Sequence, residues 1–465
     1  MELHLDVERA AGSTLRARVE NALRDGIRTG LLVPGSRLPP SRELCAQLGV
    51  SRGVVVDAYA QLTAEGYLHA RQGAGTTVAV TGRWQAGRRA AGGRVEPAIR
   101  HDLSPFVPAL GAFPRAAWRA ALNRALRSAP DARLGLPDAA GVPELRGALA
   151  GHLARSRGVR GAADQVIVCN GLRAGLGLLW SALAARGARR VATEDPGWCG
   201  IAQTAQDAGL QPVPIAVDAE GLMVDRLAYR GAIDAVAVAP AHQYPTGAVM
   251  APARRAALVA WAQRHDAVIV EDDYDAEYRY DREPIGSIQG LAPEHVAYGG
   301  SASKSLAPGV RLAWLVVPSA FVEPMVALQA RRGGMPAALE QLALADLIER
   351  GELDRHLRRS RRRYRRQRDA LLAALAARLP EVEVSGAAAG LFVVLRLPRG
   401  VSEAAVLGHA RAVGVAVEGG GGRAASLVVG YANLTEAATG SAVEALAASV
   451  HAAGWPGCPP KWRSV

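Results

Sequence analysis

From about residue 101 to its end the chain alternates short β-branched runs with stretches of helical periodicity, and few folds accommodate that pattern. The runs fall at Gln165–Cys169, Arg190–Thr193, Ala235–Ala239, Ala267–Glu271, His295–Tyr298 and Leu312–Val317. Strands separated by helices predict an α/β domain built on a mostly parallel sheet. From about residue 381, short strands mixed with two helical patterns predict a smaller α+β unit. The 465 residues are 49% apolar and 21% charged, which excludes a disordered or fibrous chain. The longest apolar stretches, such as Ala174–Ala185, run about a dozen residues where a membrane span needs roughly 20, so no membrane partner is expected. The acidic start lacks a signal-peptide pattern. Cys45, Cys169, Cys199 and Cys458 form neither a disulfide framework nor a close metal pair. A cytoplasmic protein without a metal is the expectation.

Residues 1–80 read differently. Leu15, Val19, Leu23 and Ile27 place one apolar stripe on a first helix, and Pro34-Gly35 breaks it. A second helix is predicted from Ser41 as N-cap, with Leu44 and Leu48 inward, ending at Gly49. Ser51 caps a third that carries Val55, Tyr59 and Leu62. Two strands follow, Tyr67–Arg71 and Thr76–Val80, joined by Gly73-Ala74-Gly75. Helix, short helix, turn, helix and β-hairpin make a winged helix-turn-helix. The net charge of +12 fits an anionic partner. Residues 81–100 hold four glycines and five arginines without apolar periodicity, and are read as a linker to a domain at 101–465.

The run Arg37-Leu-Pro-Pro-Ser-Arg-Glu-Leu-Cys-Ala-Gln-Leu-Gly-Val-Ser-Arg52, with Glu65-Gly-Tyr-Leu and Gly73-Ala-Gly-Thr76, resembles the GntR class of bacterial repressors. That resemblance implies DNA contacts from Arg42, Ser51, Arg52 and Gly53, with Gly73 at the tip of the wing. A helix start and an arginine suit phosphates, and glycine lets backbone approach the groove.

Of 55 basic residues only Lys304 and Lys461 are lysines. Lys304 sits in Ser301-Ala-Ser303-Lys-Ser-Leu-Ala-Pro308-Gly-Val-Arg311, just after a strand. An aldehyde cofactor needs a primary amine, which arginine cannot supply, and Ser301, Ser303 and Arg311 could serve its phosphate. Upstream, Val268-Ile-Val-Glu271-Asp272-Asp273-Tyr274-Asp275 puts acids at the C-terminal end of an apolar strand, where α/β folds place ligands. A carboxylate there could hold a pyridinium proton, or the cluster could bind metal or close a turn.

Together with Glu194-Asp-Pro-Gly-Trp198 and His242-Gln-Tyr-Pro-Thr-Gly247, these motifs resemble fold-type-I aminotransferases and, specifically, the MocR-type regulators. Those join a GntR-like winged helix to an aminotransferase-like domain that binds pyridoxal 5'-phosphate. The resemblance implies that Lys304 makes the covalent link to the cofactor and that Asp272 pairs with its pyridine nitrogen, Asp273 being the alternative one residue on. It further implies Tyr274 at the ring oxygen, Trp198 stacked on the ring, Tyr244 where ordinary aminotransferases carry asparagine, and Asn170, Gly171, Leu172 and Arg173 as the phosphate cup. A head-to-tail homodimer on an operator with paired half-sites also follows from it.

Three positions depart from the enzymes. Leu172-Arg173 replaces a Ser/Gln-rich cup, Leu136 replaces a tyrosine that reaches the neighbouring subunit, and Val428 stands where an arginine grips the substrate carboxylate. Arg423, nearby, is a substitute candidate. The expected function is a regulator sensing the cofactor, or an amine or amino-acid-like effector, with vitamin B6 synthesis as a candidate pathway. The alternatives are a working aminotransferase with a DNA-binding domain, and a DNA-binding protein whose large domain only dimerises it. Nine arginines between Arg355 and Arg368 predict a basic face on a long helix, read as solvated or flanking a dimer contact, with DNA as the other reading.

Overall fold

A computed structural model of the chain describes Leu5, Val7 and residues 10–71, 75–79, 98–281, 285–386, 388–422 and 424–454. It divides into two compact units, Met1–Val95 and Glu96–Val465.

In the first unit α1 (Leu15–Arg28), α2 (Ser41–Leu48) and α3 (Arg52–Ala64) precede the hairpin of β1 (Leu68–Arg71) and β2 (Gly75–Val78). The Thr14 side chain accepts from the Ala17 N–H and the Ser51 side chain from that of Val54, so two helix starts are capped. The helix α2 departs from expectation. Pro40 is its N-cap and makes no side-chain bond, and Ser41 lies one position inside. Proline fixes φ near the helical value and thereby starts the turn without a hydroxyl. Gly49 ends α2 in the left-handed conformation (φ 64°), which glycine adopts without steric cost. Val19, Leu23, Leu44, Val55, Leu62 and Leu68 are buried together, but Leu15, in the first turn of α1, is 39% exposed and stays outside that core. The Tyr59 hydroxyl donates to the Pro39 carbonyl (2.8 Å), pinning the entry to α2 onto α3.

The second unit centres on an eight-stranded sheet. Its strands are β3 (Val166–Cys169), β4 (Arg190–Asp195), β5 (Gln211–Asp218), β6 (Gly221–Leu222), β7 (Ala235–Val238), β8 (Val268–Asp272), β9 (Val296–Ser301) and β10 (Ala313–Val316). The spatial order is β3-β10-β9-β8-β7-β4-β5-β6. Neighbours from β9 through β8, β7 and β4 to β5 run parallel, whereas β10 is antiparallel to both β9 and β3, so the sheet is mixed. Strands β3, β7, β8 and β10 are buried along their whole length, as expected of a sheet covered on both faces. The strand β5 gives no strand signal in the sequence, because Pro212 and Pro214 interrupt it. It lies beside the sheet's margin, where proline is tolerated.

The helix α4 (Pro143–Arg157) packs on one face and α5 (Leu172–Ala185) on the other. A long helix, α6 (Glu352–Arg378), leads to a four-stranded sheet of β11 (Glu383–Ser385), β12 (Phe392–Arg396), β13 (Glu418–Gly419) and β14 (Ser426–Gly430), in the order β11-β12-β14-β13. Helices α7 (Glu403–Ala412) and α8 (Glu436–Ala452) cover it. Its core extends beyond the C-terminal residues, since Leu103 and Ala109 and, from α6, Tyr364, Leu371 and Leu375 belong to it. No helix among the described residues is long and apolar enough to cross a membrane, and no His/Cys/Asp/Glu group among them could hold a metal ion.

Candidate functional site

A cavity of about 320 Å³ opens at the C-terminal ends of β8 and β9. Lys304, Asp272, Tyr274, Trp198 and Tyr244 line it, together with Gly171, Leu172, Arg173, Ser301, Ser303 and Arg311. Asn170 alone of the expected cofactor contacts is not among the lining residues; it adjoins them, its carbonyl accepting from Arg311 at 3.0 Å.

Lys304 stands three residues past β9, and its Nζ donates to the Phe106 carbonyl at 2.7 Å. Burial pushes its amine down to about 8, against the opposing pull of Asp275, Asp272 and Glu418. The amine that must attack a carbonyl is the neutral one. The rate at which the chain takes up pyridoxal phosphate is therefore expected to rise with pH through about 8 and then level off. A stopped-flow pH series checks this, and a rise delayed to the ordinary lysine range would show that burial does not tune the amine.

Asp272 ends β8, paired in register with Gly299. Burial pushes its carboxyl up to about 7, with Asp273 and Asp275 adding to the shift and Lys304 opposing it. Its Oδ1 is buried without a hydrogen-bond partner, an arrangement that costs about 1–3 kcal/mol unless a donor arrives. The alternative, Asp273, points elsewhere. It takes two bonds from Arg157 (2.7 and 3.0 Å) and one from the Tyr298 hydroxyl (2.7 Å). Glu271, between Ile288 and Gln289, accepts both their N–H groups.

Gly171 precedes α5 at φ 88°, and a Cβ there would lie 2.7 Å from the Arg311 guanidinium. Backbone and cation can approach this closely only at glycine. Arg311 is itself held in the left-handed region (φ 59°), uncommon for a residue with a side chain. The helix start, Arg311 and the Ser301 and Ser303 hydroxyls give the cavity an anion-binding end. An orphaned carboxylate, a depressed lysine and that end match the chemistry of pyridoxal phosphate, whose ring nitrogen, aldehyde and phosphate need those three partners.

Other contacts escaped the sequence. The Tyr244 hydroxyl donates to Glu418 of β13 at 2.7 Å, and its ring meets Phe106 at 4.5 Å. His242 Nδ1 lies 2.9 Å from Asp275 and its ring stacks on Phe392 at 4.6 Å. Glu194 lines the cavity with its carboxyl raised to about 8 by burial. No local motif announces Phe106 or Glu418, which reach the site from distant parts of the chain. Val428 is fully buried beside Phe392, and its cross-strand partners are Val394 on one side and Glu418 on the other. Leu136 is 90% exposed. In the first unit Arg42, Ser51, Arg52 and Gly53 are all exposed, the last three at the start of α3. Gly73 and Arg423 lie outside the described residues.

Residues 15–78 match the family of bacterial regulatory proteins of the gntR family, and residues 109–446 match aminotransferase class I and II. The chain is 34% identical to the "Probable rhizopine catabolism regulatory protein MocR" of Rhizobium meliloti, over 88% of this chain and 87% of that one. It is also 34% identical to the HTH-type pyridoxine biosynthesis transcriptional regulator PdxR of Corynebacterium glutamicum, over 82% of this chain and 83% of the other. Among solved structures, the kynurenine aminotransferase of Pyrococcus horikoshii is 25% identical and superposes with a TM-score of 0.69, covering 76% of this chain and 91% of that one.

Proposed function

The chain belongs to the MocR-type transcriptional regulators, a GntR winged helix joined to an aminotransferase class I and II domain, and from that premise we propose that pyridoxal phosphate held at Lys304 sets its affinity for operator DNA. The observation that carries the reading is the meeting of Lys304, Asp272 with its orphaned Oδ1, and Arg311 in one cavity. Bound there, the cofactor would offer an aldehyde for amines and an electron-withdrawing ring. Asp272 would hold the ring-nitrogen proton, Tyr274 and Tyr244 would border the ring, Trp198 would cover its face, and Gly171, Leu172, Arg173, Ser301, Ser303 and Arg311 would take the phosphate.

Regulation rather than turnover is supported at Val428. A buried apolar residue opposite a carboxylate offers no bidentate grip on an amino-acid carboxylate. The similarity to PdxR supports pyridoxal phosphate itself as the signal and vitamin B6 synthesis as the pathway. The equal identity to MocR, named for rhizopine catabolism, keeps a small amine effector as the second reading. Two winged helices in a homodimer would engage paired half-sites.

The test uses duplexes enriched from a random pool by the full-length chain, with affinity read by fluorescence anisotropy with and without pyridoxal phosphate. A hundredfold change corresponds to about 2.7 kcal/mol of coupling. Equal affinities would sink the sensing role. On the same duplex Arg52→Ala is expected to weaken binding and lower the slope of log K against log salt by about one. An unchanged slope would remove Arg52 from the phosphate contacts.

A further inference from the structure

The arginine-rich stretch of α6 is sorted by environment. Leu353, His356, Ser360, Tyr364 and Gln367 are buried and form its inner face. Arg358, Arg359, Arg362, Arg363 and Arg365 are exposed and have no carboxylate within ion-pair distance among the described residues. Arg355 and Arg366, exposed on either side, meet Glu352 at 2.8 Å and Glu436 at 3.3 Å. At about 100° per residue these seven occupy a sector of roughly 160° centred away from the core. Like charges three and four residues apart destabilise a helix. A helix that only needed solvation would be served better by mixed signs, as on its first turn, where Glu352 and Asp354 lie.

The five guanidinium groups without a carboxylate partner among the described residues span about 11 Å of helix axis. A DNA duplex presents one phosphate charge per about 1.7 Å of its own axis, so it matches that density with no sequence requirement. The chain already brings a duplex to itself through its GntR unit, which singles out DNA among polyanions. We propose that the arginine face of α6 is a second DNA contact, made to the sugar–phosphate backbone of duplex flanking the sequence that the winged helix reads. It adds affinity and length of protected DNA but no base preference, because guanidinium–phosphate bonds carry none.

The inference rests on DNA binding by the first unit and is independent of pyridoxal phosphate as the signal. The test compares the full-length wild type with the variant Arg358→Gln, Arg359→Gln, Arg362→Gln and Arg363→Gln, and with the same four positions changed to Lys. Each is titrated across a salt series against the enriched operator alone and against the operator extended by several helical turns on both sides. On the extended duplex the Gln variant is expected to bind at least tenfold more weakly, with a salt slope shallower by about 0.9 for every phosphate it no longer neutralises. On the short duplex it is expected to match wild type, which also establishes that it is folded. The Lys variant, keeping the charge, is expected to retain most of the slope. Equal slopes for wild type and the Gln variant on the extended duplex would overturn the proposal. So would a change in association state by sedimentation with unchanged slopes, which would make the face a contact between subunits. Loss of cofactor response on the short duplex, with the slope difference intact, would count against the sensing role and leave this contact standing.

Discussion

With pyridoxal phosphate added, the wild-type chain is expected to develop a near-visible absorption band shifted from that of the free aldehyde, and Lys304→Ala is expected to show no such shifted band. Only an amine can condense with the aldehyde, and Lys304 is the only lysine among the described residues. Its Nζ is held by the Phe106 carbonyl at 2.7 Å, 4.9 Å from the centre of the Phe106 ring. The amine is therefore kept in place within the cavity that also holds Asp272 and Arg311. Borohydride reduction followed by mass spectrometry gives the second readout: wild type gains the mass of one reduced cofactor at the peptide around Lys304, and the variant gains none there. The variant should fold, because alanine removes a partly compensated charge from a buried position and leaves only the Phe106 carbonyl without its donor. Retention of the band by Lys304→Ala would place the covalent link at another amine. Absence of the band from both proteins would leave a DNA-binding protein with an aminotransferase fold and no aldehyde chemistry.

The largest loss of stability is expected at Arg157→Ala. Arg157 ends α4 fully inside the protein, and its guanidinium makes two bonds to Asp273 and one to the Ile285 carbonyl. Removing one member of a buried pair strands the other, at a cost of about 3–5 kcal/mol. Asp273 would keep only the Tyr298 hydroxyl and its backbone N–H bond to Gly299. Denaturant titration of the cofactor-free chain measures the loss. A value below about 1 kcal/mol would show that water enters and repairs the site. A second readout separates packing from position. Asp273 follows Asp272 in the chain and its charge helps raise the Asp272 carboxyl. Arg157→Ala is therefore expected to shift the pH dependence of cofactor absorption, whereas a core truncation of equal cost, such as Leu149→Ala in the same helix, should not.

The sequence and the structure agree best where a local rule decides. Fully buried strands such as β3, β7, β8 and β10 announce themselves as apolar runs, and Ser51 announces the start of α3 by its hydroxyl. Disagreement begins where a second element must be known. Whether Asp272 or Asp273 faces the cavity depends on the phase of β8 against β9, which the pairing of Asp272 with Gly299 sets. Ser41 has the hydroxyl that suits an N-cap, but Pro40 occupies the cap and determines the turn. The strand β10, antiparallel to both its neighbours, resembles the parallel strands of the sheet in composition, since direction is a property of the connection rather than of the residues. Phe106 and Glu418 carry no local signal at all, and His242 and Asp275, each inside a recognisable motif, give no local sign that they pair. They are drawn to the site by folding of segments far apart in the chain.

The bond between Tyr244 and Glu418 has a mechanical side. Tyr244 belongs to the wall of the cavity, and Glu418 to the four-stranded sheet that follows α6. The hydroxyl that could greet a ligand is thus already fastened to the neighbouring sheet. Anything that claims this hydroxyl, or pushes its ring aside, breaks that bond and leaves the Glu418 carboxylate to find another donor.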